Sequence, residues 1–292
     1  MIEEIPHIVF NPGSEENFGF EIVPIENIAS KKEAQGHNPE KPHQLKFYNF
    51  IFYTSGRGRH YVDFKWYPVE KNTLVYLTKD QINAFEFSNE LKGYCLIFTE
   101  AYFVSCFPNI TEDFVFRLFN SQLFSPILKI PDNSEFEMYF RLLQSEYGKE
   151  NSFNQRNVVN SLFIILLSKA ESIRKTRSSD IKDTSKTRCF HRFTLLIEKH
   201  YKKTRSASFY AKELAITYKH LNSICKDLAH KTAKNVIDDF VILQAKRRLI
   251  NARIKSTDLA YELGFEDPTN FTKYFKKNTS FTPNSFIKSL EK

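Results

Sequence analysis

The sequence predicts a two-domain α+β protein. An antiparallel β-domain, built as a small barrel or sandwich and followed by helices, precedes an all-α domain with two helix-turn-helix units. Three observations carry this. Short aromatic and β-branched runs bounded by turn residues fill residues 1 to about 107. Beyond residue 111 the apolar spacing changes to threes and fours. From Cys189 onward one helical pattern occurs twice, about fifty residues apart.

The strands expected are Lys46–Thr54, His60–Trp66, Thr73–Leu77, Ala84–Phe87 and Gly93–Phe98. Ser55-Gly56-Arg57-Gly58 reads as a tight hairpin between the first two. The two faces of His60–Trp66 differ little in polarity, so both are expected to be covered. Phe47, Phe50, Phe52, Tyr61, Phe64 and Trp66 are candidate lining for a small-molecule pocket, beside an ordinary core role for each.

Residues 111 to 174 read as helical. Asp132–Tyr147 carries Phe136, Tyr139, Phe140, Leu143 and Tyr147 on one face. Asn154–Arg174 carries Val159, Leu162, Leu166, Ala170 and Ile173, and its apolar face is wide. Such a face suits either a central helix packed against the β-domain or a homodimer seam, and Val159, Leu162, Leu166 and Ile173 are the residues expected at the seam. Residues 175–188, almost wholly polar, read as the linker. The domains expected are thus 1–174 and 189–292.

Charge separates the two halves. Residues 1–174 hold 17 Lys and Arg against 22 Asp and Glu, a net of −5, and residues 175–292 hold 25 against 12, a net of +13. A basic domain of this size attracts polyanions. The four cysteines, at 95, 106, 189 and 225, form no CxxC or zinc spacing. The acidic start MIEEIPHIVF has no signal-peptide core, and the most apolar run, residues 158–167, is too short to span a bilayer. A reduced, cytoplasmic protein with no membrane association is expected.

In the repeat, Ala211, Leu214, Ala215 and Ile216 match Ala260, Leu263, Gly264 and Phe265 at an offset of 49. Leu221, Cys225 and Lys226 match Phe271, Phe275 and Lys276 at an offset of 50. Each copy has a small residue where two helices cross, an apolar residue closing the turn, and a second helix with inward apolar residues four apart. Gly264 suits its turn, whereas Ala215 predicts a less regular one. Asp267 and Pro268 suit N-cap and first helical position. Residues 234–250 form a bridging helix, with Val236, Ile237, Phe240, Leu243 and Leu249 inward and a basic end at Lys246, Arg247, Arg248 and Arg253.

The outward residues suit DNA. Lys219, His220, Asn222, Ser223 and Lys226 project from the second helix of copy one. Pro268, Thr269, Asn270, Thr272, Lys273 and Lys276 stand on that of copy two. Amides pair with adenine edges, and lysines reach guanine or phosphate. A rigid bridge would set the two helices roughly 34 Å apart, in successive major-groove segments.

The stretch Ser256–Lys277, followed by Phe281-Thr282-Pro283-Asn284-Ser285-Phe286, resembles the signature of the AraC/XylS family of bacterial transcription regulators. The resemblance covers residues 189 to 290. It implies a seven-helix DNA-binding domain, activation through RNA polymerase, and double-stranded promoter DNA as partner. Ser280 stands where that family usually has Gly, and Val241 where an Arg contact is frequent. His43, Phe47-Tyr48, Gly56, Gly58, His60–Phe64, Gln81 and Gly93–Phe98 resemble the cupin-like sensory barrel of the same family. That implies a small-molecule effector. The alternative is a ligand-independent dimerisation or protein-docking module.

The second histidines of the cupin pattern are missing, since the sequence reads His43-Gln44-Leu45 and Lys79-Asp80-Gln81-Ile82-Asn83. His43, His60, Glu40 and Asp63 remain, short of a convergent metal set. No nucleophile motif or phosphate loop occurs. Neither catalysis, a metal nor a cofactor is expected.

Overall fold

The computed structural model describes residues 5–10, 19–30, 38–88, 90–107, 119–120, 124–132, 135–149, 153–177, 184–251 and 254–290. The chain divides into two compact units, one spanning 6–178 and the other built on 179–292.

Among the described residues the first unit contains ten strands. They are β1 (His7–Ile8), β2 (Phe20–Pro24), β3 (His43–Leu45), β4 (Tyr48–Ser55), β5 (Arg57–Val62), β6 (Lys65–Glu70), β7 (Thr73–Leu77), β8 (Ile82–Phe85), β9 (Lys92–Phe98) and β10 (Ile127–Lys129). They form two five-stranded sheets, ordered β1-β3-β8-β5-β6 and β10-β7-β4-β9-β2. The unit also carries helices α1 (Ile25–Ser30), α2 (Glu100–Cys106), α3 (Phe136–Tyr147) and α4 (Gln155–Arg177).

Of the barrel or sandwich expected, the described residues form two separate sheets and no closed barrel, and the β1–β3 pair is parallel. Alternation along β4 shows how the layers stack. Phe50 and Phe52 face α3 and α4, in one core with Phe140, Phe163 and Leu166. Ile51 and Tyr53 face the other sheet, in a second core with Val62, Val69 and Phe85. The sheet containing β4 is therefore covered on both sides. The sheet containing β5 is not: Arg57 and Arg59 are exposed, while His60 and Val62 are buried.

The turns also differ from expectation. Ser55–Gly58 is no hairpin, because β4 and β5 lie in different sheets, and Gly56 (φ 79°) carries the chain between them. The hairpin comes inside His60–Trp66. Val62 pairs with Lys65, and Asp63 (φ 44°) and Phe64 (φ 71°) make a two-residue turn with both φ positive. Asp63 supports the turn by accepting the Gln81 side-chain amide at 2.8 Å. Ile127–Lys129, expected in a helix, pairs with β7 instead. The expected helical residues 111–118 and 133–134 lie outside the described residues.

The second unit is helical: α5 (Thr184–His200), α6 (Ala207–Glu213), α7 (Tyr218–Ala229), α8 (Ala233–Asn251), α9 (Ser256–Glu262), α10 (Pro268–Thr279) and α11 (Pro283–Ser289). The expected linker is shorter than 175–188, since α4 runs through Arg177 and α5 starts at Thr184. Polarity alone does not stop a helix, and no Gly or Pro interrupts the segment. Thr187 and Phe190 are buried, so packing continues into it. Among the described residues no helix is long and apolar enough to cross a membrane, and no group of three His, Cys, Asp or Glu side chains could hold a metal ion.

Candidate nucleic-acid interface

Two helix pairs, α6–α7 and α9–α10, are built alike. Ala211 and Ala260 are buried where the paired helices cross. Both turns close with the same hydrogen bonds. Ile216 N donates to Ala211 O at 3.0 Å and Phe265 N to Ala260 O at 2.9 Å. Ala215 N donates to Lys212 O at 3.0 Å and Gly264 N to Tyr261 O at 2.9 Å. The turn at Ala215 is thus as regular as its partner, with φ 56° against 74° at Gly264.

The likeness extends further. Thr217 caps α7 by accepting His220 N, and Asp267 caps α10 by accepting Thr269 N at 2.7 Å, with Pro268 in the first turn. The two helices end at His230 (φ 54°) and Ser280 (φ 66°), fifty residues apart and both left-handed. Ser280 occupies a conformation that glycine adopts more cheaply. Thr232 and Thr282 then cap α8 and α11. Each copy is therefore three helices, with the start of α8 matching α11.

The inner faces of α7 and α10 are apolar: Leu221, Ile224 and Cys225 on one, Phe271 and Phe275 on the other. On the outer faces Lys219, His220, Ser223 and Lys226 are exposed, as are Thr269, Asn270, Lys273 and Lys276. The Asn270 side chain makes no hydrogen bond among the described residues. Pro268 and Thr272 are half-buried, and the Thr272 hydroxyl donates to Pro268 O at 3.0 Å. Asn222 is engaged elsewhere: its Oδ1 accepts Ala233 N at 3.0 Å, at the start of α8.

The basic end of α8 is only partly offered to solvent. Arg247 is buried, Arg248 pairs with Glu262, and Lys246 lies 5.3 Å from the Phe286 ring centroid. Burial holds the Lys246 amine below its usual pKa. Arg253 lies outside the described residues. Val241 is fully buried and belongs to the core. Within the expected stripe of α8, Phe240 and Leu243 are only half-buried, while Ile242 and Ala245 are buried.

Residues 210–289 match the family model described as a helix-turn-helix domain. The C-terminal domain is an AraC-type helix-turn-helix domain. An uncharacterised HTH-type transcriptional regulator in the cgkA 5′ region of Pseudoalteromonas carrageenovora is 33% identical to the chain over 96 residues. Those residues are 33% of this chain and 57% of that protein, so the chain spans little more than half of that relative. Across 94% of this chain and 96% of its own, ToxT from Vibrio cholerae, with an unsaturated fatty acid bound, is similar at 14% identity and a TM-score of 0.46. The C-terminal domain of AraT from Geobacillus stearothermophilus is similar over 35% of this chain and 84% of its own, at 17% identity and a TM-score of 0.33. The AraC-type domain here occupies the part of the chain that carries the net charge of +13.

The expected pocket residues are scattered. Phe50 and Phe52 sit in the core beneath α3 and α4, and Phe47 lies between the sheets. Phe64 forms the β5–β6 turn. Tyr61 and Trp66 pair at 5.1 Å on the sheet's outer face, with Arg59 over the Trp66 ring at 5.0 Å. The expected seam fares similarly. Val159 and Leu166 are buried in their own unit's core, with Leu162 and Ile173 packed against it. Those positions hold α4 onto its sheet, and the exposed apolar residues of α4 include Val158 and Ile165.

Sequence reading missed the buried polar group between the sheets. Tyr53 and His60 share a 2.9 Å hydrogen bond through Oη and Nδ1, and the Asn83 amide donates to His43 O at 3.5 Å. His60 Nε2, Asn83 Oδ1 and Asn49 Oδ1 are buried without a hydrogen-bond partner. Burial, with His43 nearby, pushes the His60 pKa down to about 3. Period-two alternation already put His60 on the face of Val62, which was the available signal.

Proposed function

We propose that this chain is a sequence-specific DNA-binding regulator of transcription whose two helix-turn-helix units read adjacent major-groove segments of a promoter. The carrying observation is the duplicated geometry: α7 and α10 share caps, turns and buried residues while presenting different exposed polar sets. Lys219, Ser223 and Lys226 would serve the first segment, and Thr269, Asn270, Lys273 and Lys276 the second. Lysines supply phosphate affinity, and Asn270 supplies adenine-type base reading. His220 stands beside Lys219 for the backbone.

The N-terminal unit would sense a small molecule, pair two chains, or both. Orphaned polar atoms between the sheets favour a small polar guest there, since buried polar groups ordinarily find partners. Pairing through α4 would use Val158 and Ile165, its exposed apolar residues. Effector binding would then shift the population of DNA-competent arrangements.

A genomic-fragment pull-down with the full chain at moderate, fixed salt tests the reading. A few enriched promoters sharing a motif would support it. Uniform recovery of DNA would count against sequence reading.

A further inference from the structure

We propose that Arg205 is a positioning residue that joins the two helix pairs directly, as a strut beside the bridging helix α8. This rests on the reading of α7 and α10 as DNA-contacting helices. Arg205 lies between α5 and α6, next to the first pair, but its guanidinium is spent on the second. Nη1 donates to Leu263 O at 2.9 Å and Nη2 to Gly264 O at 3.1 Å. These carbonyls end α9, where a cation meets the negative end of the helix. The guanidinium also lies 3.8 Å from the Phe265 ring centroid, the apolar residue that closes the α9–α10 turn.

The backbone of the same loop touches the same turn. A Cβ added at Gly264 would fall 1.7 Å from Lys202 O. That approach, with φ 74°, explains why the second turn carries Gly while the first carries Ala215. The loop is anchored at its other side too. Tyr210, fully buried in α6, donates its hydroxyl to Thr204 O at 3.0 Å, and Thr204 Oγ1 accepts Ser206 N. A continuous path therefore runs from the α6 core through residues 202–205 to the α9–α10 turn. Each pair is also tied to α8, through Asn222–Ala233 and Tyr274–Asp238, and a second, direct attachment narrows the motion of one pair against the other.

The consequence is for binding both DNA segments at once. Without the strut each pair would still dock alone, but the two would no longer arrive preorganised. Arg205 is half-buried, with its guanidinium engaged by two carbonyls and the Phe265 ring, so its loss should not act like the loss of a phosphate contact.

Two readouts test this in the full chain. Spin labels at Lys212→Cys and Lys277→Cys, in a Cys189→Ser background, report the distance distribution between the pairs without DNA. Arg205→Ala should at least double its width. Arg205→Lys should behave like alanine, because an ammonium cannot bridge both carbonyls in the fork geometry. Phe265→Leu, which keeps the apolar closure, should broaden it less and serves if Arg205→Ala fails to fold. The second readout is affinity for a duplex selected from a random pool, against a scrambled duplex. Arg205→Ala should lose about tenfold on the selected duplex, with scrambled binding and salt dependence unchanged. An unchanged distance distribution in the folded variants overturns the strut. So does equal loss on both duplexes with a smaller salt slope, which would make Arg205 a phosphate contact. If no duplex is enriched, the DNA-reading proposal fails while the distance measurement still decides the strut.

Discussion

The amide oxygen of Asn222 accepts the backbone N–H of Ala233 at 3.0 Å, tying the middle of α7 to the first residue of α8. That N–H is one of the four at a helix start that the helix itself leaves unpaired. The bond converts a residue on the expected DNA face into a joint between elements. Bidentate reading of adenine needs both amide atoms, and one is taken.

Asn222→Ala should therefore cost about 1–2 kcal/mol of stability, the usual cost of losing a helix-start acceptor. Asn222→Asp, which keeps the acceptor, should recover most of it. Thermal unfolding measures both. On DNA the alanine variant should weaken every sequence alike. A loss confined to one base position would restore Asn222 as a reader.

Asn270 is expected to behave differently. Its side chain is exposed and makes no hydrogen bond among the described residues. Asn270→Ala should cost roughly 1–3 kcal/mol on the preferred site and relax preference at one base pair. Competition binding against single-substituted duplexes shows which. Equal loss across all of them would mark a backbone contact.

Neighbouring residues on α4 separate core from surface. Leu166 is fully buried and Ile165 is 37% exposed. Leu166→Glu should unfold the N-terminal unit, at a cost above about 3 kcal/mol for a buried charge or cavity-scale loss. Ile165→Glu should leave melting unchanged and shift sedimentation toward monomer. A well-folded Leu166→Glu monomer would return the seam to the inner face.

The left-handed positions predict opposite signs for similar substitutions. Ser280→Gly and Ala215→Gly relieve positive φ and should each stabilise by about 0.5–1 kcal/mol. Gly264→Ala should destabilise strongly, because the methyl meets Lys202 O. Denaturant unfolding of the three variants provides the comparison.

His60 gives the N-terminal unit a pH dependence. Its folded pKa of about 3 lies below the unfolded value near 6.5. Between the two, the unfolded chain binds a proton that the folded one refuses, so stability rises with pH. The contribution is complete above pH 6.5 and falls as pH drops, by about 2 kcal/mol at pH 5. His60→Leu should flatten that slope. A melting temperature with the same pH slope in both proteins would remove His60 as its source.

Much of the C-terminal domain was legible because helix signals are local. Asp267-Pro268, Gly264 and the four-residue spacing of Phe271 and Phe275 lie within one turn of what they determine. The Asn222–Ala233 bond was not legible because its two residues stand eleven apart in different helices. In the N-terminal unit the strand runs were legible but their pairing was not. Gly56 looks like a hairpin glycine, and only the partners of β4 and β5 reveal a passage between sheets. Asp63-Phe64 gave no turn signal, since Phe rarely adopts positive φ. Val159 and Leu166 show that a wide apolar helix face does not say whether a sheet or another chain covers it.

The central claim is that α7 and α10 read two adjacent segments of one DNA site. Selection of duplexes from a random pool by the full chain, at one fixed salt concentration, tests it most directly. The account predicts two preferred blocks with centres about 10 base pairs apart, only one of which loses definition in Asn270→Ala. A single block unaffected by Asn270→Ala, or no enrichment at all, would contradict it.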